Sequence, residues 1–586
     1  MIVPVLGDWL GVTYADWAVI AIYLLGVTAI GTWAVRKVKS STSFFISDRG
    51  FGKVMMVFFA FGTGTHSDQA VSVAAETHRS GASGIWYQWL WLFVTPFYWL
   101  IGPMFRRMRA VTTSDYFEAR FDQSVAVLFA LVGVLNMMVN IGVMLKGSSA
   151  MIEAVSGGAI NSTYAMLAMT VMFVIYGVAG GLSAAIVTDF IQGILTVILS
   201  FLILPFALQM VGGMTGLRET IQDPHMFSLV APEKITTFYI AVIAINGLVG
   251  FVTQPPSFGV CSAGKTEMES RVGLTYGNFL KRICTVAWMM TGLCAVAIYM
   301  GKEVDIDHVY GLMAHDLLPQ IAPGLVGLFI ASMLAAVMSS CDAFMVAASA
   351  LFTENFYRKH LVREASDGHY MLVGRVTALL VVISGIAFAF MFENVVHGLE
   401  IFWKVSAMMG LAFWAGLFWR RTTVAAAWAG TLVSFAVVLF TSKISFGGKV
   451  FWDFNARFTD LLPDFMLYVE ANKPEARPEL LLSWQMVFYL LAGLITIVVV
   501  SLLTPRVPCE KLDRFYACLR TPVRAGEPET KPFTLPEGVE PAPRRVLFDA
   551  FELEIPRISL VGLLGFVVAL VLVGILIGSV YWIFMP

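Results

Sequence analysis

The sequence predicts an all-α polytopic membrane protein with about 14 transmembrane helices, and its composition is the first of three observations behind this prediction. Hydrophobic residues fill 58% of the 586 positions and charged residues only 13%, whereas charged residues make up about a quarter of a soluble globular domain. One soluble core cannot bury that much apolar surface, so lipid must solvate much of the chain.

The second observation is the number of long apolar stretches. About 20 consecutive apolar residues suffice to cross the hydrocarbon core of a bilayer once. Stretches of this kind lie approximately at 15–36, 54–76, 85–105, 124–147, 163–179, 185–211, 238–258, 275–300, 323–353, 371–393, 396–419, 423–442, 483–504 and 558–584.

The third observation is the distribution of Lys and Arg. If the N-terminus lies outside, most of the 39 Lys and Arg residues fall in loops that face the cytoplasm, as the positive-inside rule requires. The first apolar stretch has no basic region before it, whereas Arg36, Lys37 and Lys39 follow it, so it is expected to be an uncleaved spanning helix. We therefore expect a multi-pass protein of the plasma (inner) membrane with both termini outside.

The chain divides into a transmembrane core at 1–504, an inner segment at 505–557 and a C-terminal transmembrane helix at 558–586. The inner segment is rich in proline and charge, which predicts a mostly flexible cytoplasmic loop. The outer stretch 443–482 is long enough to form a cap over the outer face.

Several function classes are excluded by the sequence. A net charge of −1 gives no overall basic field for nucleic acid. The six cysteines include no C-x-x-C pair, which argues against a disulfide framework or a zinc site. G-x-S-x-G, H-E-x-x-H and phosphate-binding glycine loops are all missing, so we expect no enzyme. The chemistry must lie in polar groups inside apolar spans, which are costly and usually functional.

The second span contains the first candidate site. Gly62–Thr65 interrupts its apolar pattern, and Asp68 and Gln69 follow at mid-span. Glycine tolerates an unwound backbone, and unwinding frees carbonyl groups that can coordinate a cation. The alternative is close packing by small residues, with the polar groups bonded to neighbouring helices.

A second interrupted span lies five spans later, near 238–258. Asn246 and two glycines occupy its middle, and Gln254–Pro256 breaks it near the cytoplasmic end. Broken helices at corresponding positions of two halves are a sequence indication of a transporter binding site.

The ninth span adds hydroxyl groups. Ala336, Ser339 and Ser340 share one face of a helix, and Asp342 follows Ser339 by three residues. Hydroxyls with a backbone carbonyl suit a small, hard cation. The serines otherwise bond back to the preceding helical turn.

Three further spans carry ionisable groups with two interpretations each. Asp189 in the sixth span is either part of an ion path or a helix-end carboxylate facing the cytoplasm. Lys281, next to Arg282, is either a solute ligand or one of two snorkelling cations. Glu400 and Lys404 bind opposite ends of a zwitterion or form an intrahelical ion pair.

At this point the motifs resemble those of the sodium/solute symporter family, and the resemblance covers roughly residues 15–505. It implies ten core helices in two inverted halves of five, as in the APC or leucine-transporter fold, with one helix before and three after. The motifs that carry it are Ala335–Ser340 with Asp342, Gly180–Gly181 leading to Thr188, Asp189 and Gln192, Gly416–Thr423, and Phe44–Phe45 before Asp48–Arg49.

The resemblance also implies a set of sodium ligands and a family-like aspartate, Asp189, on the ion's route to the cytoplasm. Some members bind a second sodium ion there, but Asp342 and Ala343 stand where those members have hydroxyls. The implied ligands, transferred by position, are Gly62, Thr65, Ala336, Ser339 and Ser340.

The solute site transfers less completely. Gln69, Asn246 and Lys281 fall where sugar-transporting members place solute-binding residues, and Asp68 lies beside them. Val249 and Gly250 replace the aromatic gate of those members, which argues against a sugar as the solute.

The sequence thus predicts a sodium-coupled symporter that imports a small polar organic solute by alternating access, with Na+ as coupling ion and no other cofactor. The oligomeric state is not predicted. The alternatives are proton coupling through Asp68 or Asp342, a transporter-like sensor that docks a partner through 505–557, and a membrane enzyme using His66, Asp68 and His78.

Overall fold

The computed structural model describes residues 8–35, 51–110, 112–231, 234–446, 449–469, 477–524, 526–528, 530–548 and 550–585. Within these ranges, the side chains at 8, 31–35, 176–187, 444–446 and 449 are not described. One motif of the resemblance, Phe44–Arg49, falls outside this description, as do Arg36, Lys37 and Lys39, and Gly180–Gly181 lies among the residues whose side chains are not described.

Helices dominate the described chain. Its first part contains α1 (Tyr14–Val35), α2 (Lys53–Gly64), α3 (Ser67–Ser80), α4 (Trp86–Trp89), α5 (Thr95–Arg107), α6 (Thr113–Arg120), α7 (Gln123–Val155), α8 (Ser162–Leu202), α9 (Leu204–Met210) and α10 (Gly213–Thr220). The later part contains α11 (Thr237–Gly250), α12 (Pro255–Ala263), α13 (Glu267–Ile298), α14 (Val309–Leu317), α15 (Leu325–Phe352), α16 (Asp367–Met391), α17 (Val395–Phe418), α18 (Val424–Phe440), α19 (Asn455–Phe458), α20 (Leu482–Leu503), α21 (Cys509–Arg520) and α22 (Leu560–Ile583).

Shorter elements connect these helices. Three antiparallel strand pairs join β1 (Asp8–Trp9) to β2 (Val12–Thr13), β3 (Lys443–Phe446) to β4 (Lys449–Asp453), and β5 (Leu467–Tyr468) to β6 (Glu479–Leu480). A π-helix at Thr353–Leu361 continues α15. The 3-10 turns are Gly81–Ile85, Pro224–Phe227, Phe251–Thr253, Ile306–His308, Leu318–Gln320, Thr459–Leu461 and Asp464–Met466.

The polytopic prediction is confirmed. Eight helical stretches in the described chain are long and apolar enough to cross a membrane, and α11 with α12 forms a further, bent span. Four shorter apolar stretches coincide with predicted spans: Tyr14–Ile30, Lys53–Gly64, Ser162–Ile175 and Val424–Phe440. The predicted third span, 85–105, is irregular, because a 3-10 turn, α4 and α5 follow one another there.

Both predicted helix breaks are present. Between α2 and α3, Thr65 and His66 have extended backbones, so the break lies at the end of the Gly62–Thr65 stretch. Between α11 and α12 the axis bends by 61°. Gln254 is extended, as expected before a proline, and Pro255 begins α12 where its missing N–H costs no hydrogen bond.

The loops predicted to face the cytoplasm meet on one side of the bundle. Arg107 at the end of α5 pairs with Glu267 at the start of α13, with Nε and Oε1 2.7 Å apart. Arg120 at the end of α6 donates to the carbonyl of Gly416 in α17 at 2.7 Å. Loops far apart in sequence therefore form a single face.

Segment 505–557, predicted to be mostly flexible, contains α21 and contacts this same face of the bundle. Arg109 donates from Nη2 to Oε2 of Glu527 at 3.0 Å. The amide of Phe533 donates to the carbonyl of Met108 at 2.9 Å, and its ring stacks on Phe515. The described part of this segment is thus packed against α5 and the loop that follows it.

Candidate functional site

The break after α2 places carbonyl groups against the serine-bearing helix α15. Because the backbone is extended at Thr65 and His66, the last turn of α2 lacks its regular hydrogen-bond donors. Ser340 supplies one, donating from Oγ to the Gly62 carbonyl at 2.9 Å. Two segments separated by 278 residues in sequence therefore meet through the predicted ion ligands.

Asp189 of α8 lies at the same junction. Ser339 donates from Oγ to Oδ1 of Asp189 at 2.5 Å, and the aspartate is fully buried. The hydroxyl of Thr63 lies close to the same carboxylate. Among the described residues, no Lys or Arg forms an ion pair with Asp189.

Close approach of three helices explains the glycine at position 62. A Cβ there would lie 2.9 Å from Oγ of Ser339 and 3.4 Å from Cβ of Asp189. Thr65 is fully buried, and its Oγ1 has no hydrogen-bond partner among the described residues. Ala336 is buried one turn before Ser340. All five predicted sodium ligands therefore lie in or beside one buried junction.

Two residues beside this junction were not among the predicted site residues. Gln192, one turn after Asp189, donates from Nε2 to the hydroxyl of Tyr23 in α1 at 3.2 Å. Tyr23 also lies within electrostatic reach of Asp189 and Asp342. Asp342 is buried in α15, so the second candidate acid lies on the α1 side of the junction. A tyrosine inside the first apolar span was the available signal.

A central cavity of about 70 Å³ lies next to the break and is lined by polar and aromatic residues. Lys281 of α13 reaches into it and donates from Nζ to the carbonyl of Gly64 at 2.6 Å. The same carbonyl accepts from Nε2 of Gln69 at 3.2 Å. Two of the predicted solute residues are therefore held by the end of α2, two residues from Gly62.

Asp68 lies behind the cavity wall. Its Oδ1 is 2.7 Å from Nδ1 of His66, and Nε2 of His66 is 3.1 Å from Nε2 of Gln69. Its Cβ packs on Gly147 of α7, where an added Cβ would approach it to 2.6 Å. Asp68 thus orients His66 and Gln69 and does not itself line the cavity.

Lys281 and Arg282 do not snorkel. Both are at least 95% buried, because α13 begins at Glu267, eight residues before the predicted span. Arg282 donates from Nη1 to the carbonyl of Gln88 at 3.0 Å. This placement speaks against snorkelling, and the ligand interpretation of Lys281 stays a prediction.

The remaining predicted solute residues lie apart from the cavity. Asn246 donates to the carbonyl of Trp403 at 3.5 Å and accepts from the hydroxyl of Tyr489 in α20. Glu400 accepts from the hydroxyl of Tyr87 at 3.3 Å. No salt bridge joins Glu400 to Lys404 in the described chain, but the two charges lie within electrostatic reach of each other in α17. These three residues line neither of the two cavities beside the helix breaks.

Comparison with family models matches most of this chain to a known family. The model described as the sodium:solute symporter family matches residues 44–434. That range includes α2 through most of α18, and therefore both broken helices and the serine-bearing helix.

Curated relatives are distant but cover most of the chain. The sodium/glucose cotransporter of Vibrio parahaemolyticus is 23% identical, over 73% of this chain and 85% of its own. The osmoregulated proline transporter OpuE of Bacillus subtilis is 25% identical, over 72% of this chain and 87% of its own.

Solved structures share the fold. A Na+-coupled sialic acid symporter in a substrate-bound, outward-open state has a TM-score of 0.68 at 18% identity, over 84% of this chain and 99% of its own. Mhp1, a nucleobase-cation-symport-1 family transporter, has a TM-score of 0.50 at 10% identity, over 80% and 97%. The likeness supports the five-plus-five inverted-repeat architecture.

Proposed function

Because this chain belongs to the sodium:solute symporter family, whose coupling ion is Na+, we propose that it imports a small polar organic solute together with Na+ by alternating access. The sodium ion binds at Gly62, Thr65, Ala336, Ser339 and Ser340. The solute binds in the central cavity beside Gln69 and Lys281.

One observation carries this proposal: Ser339 and Ser340 link a buried carboxylate to the end of a broken helix. A carboxylate in a membrane interior is costly unless a cation or a proton compensates it. Ser339 gives its hydrogen to Asp189, which leaves the lone pairs of its Oγ available to a cation. Oxygen atoms from hydroxyls and carbonyls are the ligands that a hard cation prefers.

The end of α2 couples ion and solute. Its carbonyl at Gly62 contacts the serine helix, and its carbonyl at Gly64 contacts Lys281 and Gln69. Sodium binding at the first carbonyl fixes the second, so the solute site is complete only when the ion is bound. This arrangement supports coupling through one short backbone segment.

A second cavity supports a route from this site to the predicted inner face. This cavity of about 30 Å³ shares Thr63 and Pro256 with the central cavity and extends to Thr112 and Thr113. Thr112 caps α6, which lies on the face where the predicted cytoplasmic loops meet. Movement of α2 and α12 around this cavity would open the inner side. The plasma-membrane location with both termini outside belongs to the same proposal.

The energy available is sufficient for accumulation. One charge crossing about 100 mV contributes about 2.3 kcal/mol, and a tenfold Na+ gradient adds about 1.4 kcal/mol. Together these sustain accumulation of roughly several hundredfold per coupled ion.

Na+-specific stabilisation of the purified protein tests the ion site. The thermal midpoint is measured in NaCl and in choline chloride at fixed pH and ionic strength. We expect Na+ to raise the midpoint of the wild type, and S339A and S340A to lose this increase. S349A is the matched control, because Ser349 lies on the same helix and its one hydrogen bond within the described chain goes to the carbonyl of Val346.

Equal midpoints in the two salts for the wild type would overturn the sodium assignment. A thermal midpoint that changes with pH in choline chloride alone would favour proton coupling. Sodium stabilisation retained by both serine variants would overturn the ligand set. A sensor that moves no solute is distinguished by uptake into proteoliposomes.

A further inference from the structure

The wall of the central cavity has an unbalanced charge. It includes the cationic residues Lys281 and Arg282 and the amides of Gln69, Gln88 and Asn140. Among the described residues, no Asp or Glu lines it. Guanidinium groups stay charged in proteins, so at least one positive charge faces this space.

Protein acids do not neutralise the two cations. Lys281 bonds a backbone carbonyl, and Arg282 bonds the carbonyl of Gln88 and Oδ1 of Asn278. In the part of the chain that the structure describes, neither residue forms an ion pair with a carboxylate. The Nε of Arg282 has no hydrogen-bond partner there. A buried cation without an anion is costly, and a bound anion would remove that cost.

The nearest acids have other partners. Asp68 is the acid within electrostatic reach of Lys281, but its carboxylate pairs with His66 behind the wall, 2.7 Å from Nδ1. Glu400 lies beside the wall residue Leu399 and accepts from Tyr87. Neither carboxylate occupies the space in front of Arg282.

From this charge distribution we propose that the transported solute is a small organic anion, whose carboxylate binds Arg282 and Lys281. This inference rests on the proposed function, because it assigns a solute class to the same cavity. Arginine binds carboxylates through two parallel N–H groups, and the buried, unpartnered Nε of Arg282 is available to supply one of them.

The rest of the cavity suits a polar solute body. Both side-chain polar atoms of Gln88 and of Asn140 are buried and without hydrogen-bond partners in the described chain, as is Oε1 of Gln69. Buried polar atoms in proteins are normally satisfied, so hydroxyl or carbonyl groups of a solute are their expected partners. Trp91 offers an aromatic face beside the Lys281 ammonium, 5.3 Å from its ring centroid.

Neutral and zwitterionic solutes fit less well. A neutral sugar would satisfy the amides but leave the charge of Arg282 uncompensated. An amino acid would bring an ammonium group into a wall that has no carboxylate to receive it. Charge, more than size, therefore separates the candidate classes.

Matched ligand pairs on the unaltered protein test the proposal. Thermal midpoints are measured in NaCl and in choline chloride with lactate against lactamide, glucuronate against glucose, and proline as a zwitterion. We expect stabilisation by an anionic member in Na+, with half-saturation at about tenfold or more lower concentration than its neutral partner. R282Q should lose this discrimination and keep the increase in midpoint given by Na+ alone.

The outcomes separate the two proposals. Equal or stronger stabilisation by lactamide, glucose or proline overturns the anion assignment. So does a thermal midpoint that rises with Na+ but responds to neither lactate nor glucuronate. If Na+ does not raise the thermal midpoint of the wild type, the ion site is overturned instead. If R282Q does not fold, the ligand comparison on the wild type still decides.

Discussion

Ser339 of α15 donates a hydrogen bond of 2.5 Å to Asp189 of α8, and both side chains pack against Gly62 of α2. The three residues belong to three different helices, and these helices come from both halves of the inverted repeat. A displacement of one half against the other therefore alters this contact directly. The proposed ion site thus lies where the proposed alternating access would change the packing.

Asp189→Asn is expected to weaken sodium binding with little change in shape. The substitution removes the buried negative charge and leaves an amide of the same size at the Ser339 hydroxyl. An opposite charge a few ångströms away is worth several kcal/mol at low effective dielectric, so half-saturating Na+ should rise about tenfold or more. The increase in thermal midpoint with Na+ concentration measures this.

Asp16→Asn is a matched control for that substitution. Asp16 is another buried carboxylate, but its Oδ1 accepts from the amide of Gly327 at 2.8 Å, away from the junction. We expect a lower baseline midpoint with an unchanged response to Na+. Normal sodium response in the Asp189 variant would show that its charge is not part of the ion site.

Gly62→Ala is expected to separate α2 from the serine helix. Its Cβ would lie 2.9 Å from Oγ of Ser339, closer than real contacts allow, and overpacking of this kind costs about 1–3 kcal/mol. Gly64→Ala is the control, because a Cβ there meets no heavy atom within 4 Å. The Na+-dependent midpoint should fall only in the first variant, and equal effects in both would contradict the close approach.

How much of this site the sequence predicts depends on the kind of signal. Glycine and proline disrupt helices through backbone chemistry, so the breaks near Gly62 and Pro255 are predictable from local sequence. Arg282 is different. Local hydropathy suggests that a cation near a helix end lies in water, and only the packing of α5, α12 and α13 shows that Arg282 faces a cavity. Asn246 likewise bonds Tyr489 from 243 residues away, a pairing that no local pattern indicates.

Asp307, in a loop predicted to lie outside, gives the stability of the protein a pH dependence. It lies in the turn Ile306–His308, and Oδ2 accepts from the amide of Val395 at the start of α17 at 3.2 Å. Burial raises the pKa of Asp307 to about 6. A carboxyl whose folded pKa is raised binds more protons in the folded state, so stability is lost as pH rises through the folded pKa.

We therefore expect the wild-type thermal midpoint to fall between about pH 4 and pH 6 relative to that of D307N. The full effect is about 3 kcal/mol at most. The matched control is D223N at Asp223, an exposed acid that caps the turn Pro224–Phe227, where asparagine caps equally well. Parallel pH profiles for the wild type and D307N would contradict the burial of this group.

Glu527 anchors the inner segment through its ion pair with Arg109. Burial opposes ionisation of Glu527, but the hydrogen bond and charge of Arg109 outweigh it and hold the pKa of Glu527 below its ordinary value. E527Q should therefore cost about 1–3 kcal/mol of local stability, because it leaves the Arg109 guanidinium buried without its anion. Faster hydrogen exchange of the amides at 521–548 measures the loss.

The pH dependence of that loss has the opposite sign to that of Asp307. A lowered folded pKa gives stability that is present above the unfolded pKa and is lost as pH falls through the folded pKa. Wild type and E527Q should therefore exchange alike below about pH 4 and differ near pH 7. E354Q, which removes the partner of Arg358 on the same face, should leave exchange at 521–548 unchanged. Equal exchange in wild type and E527Q at pH 7 would mean that the segment is held by its aromatic contacts, above all by Phe533 on Phe515.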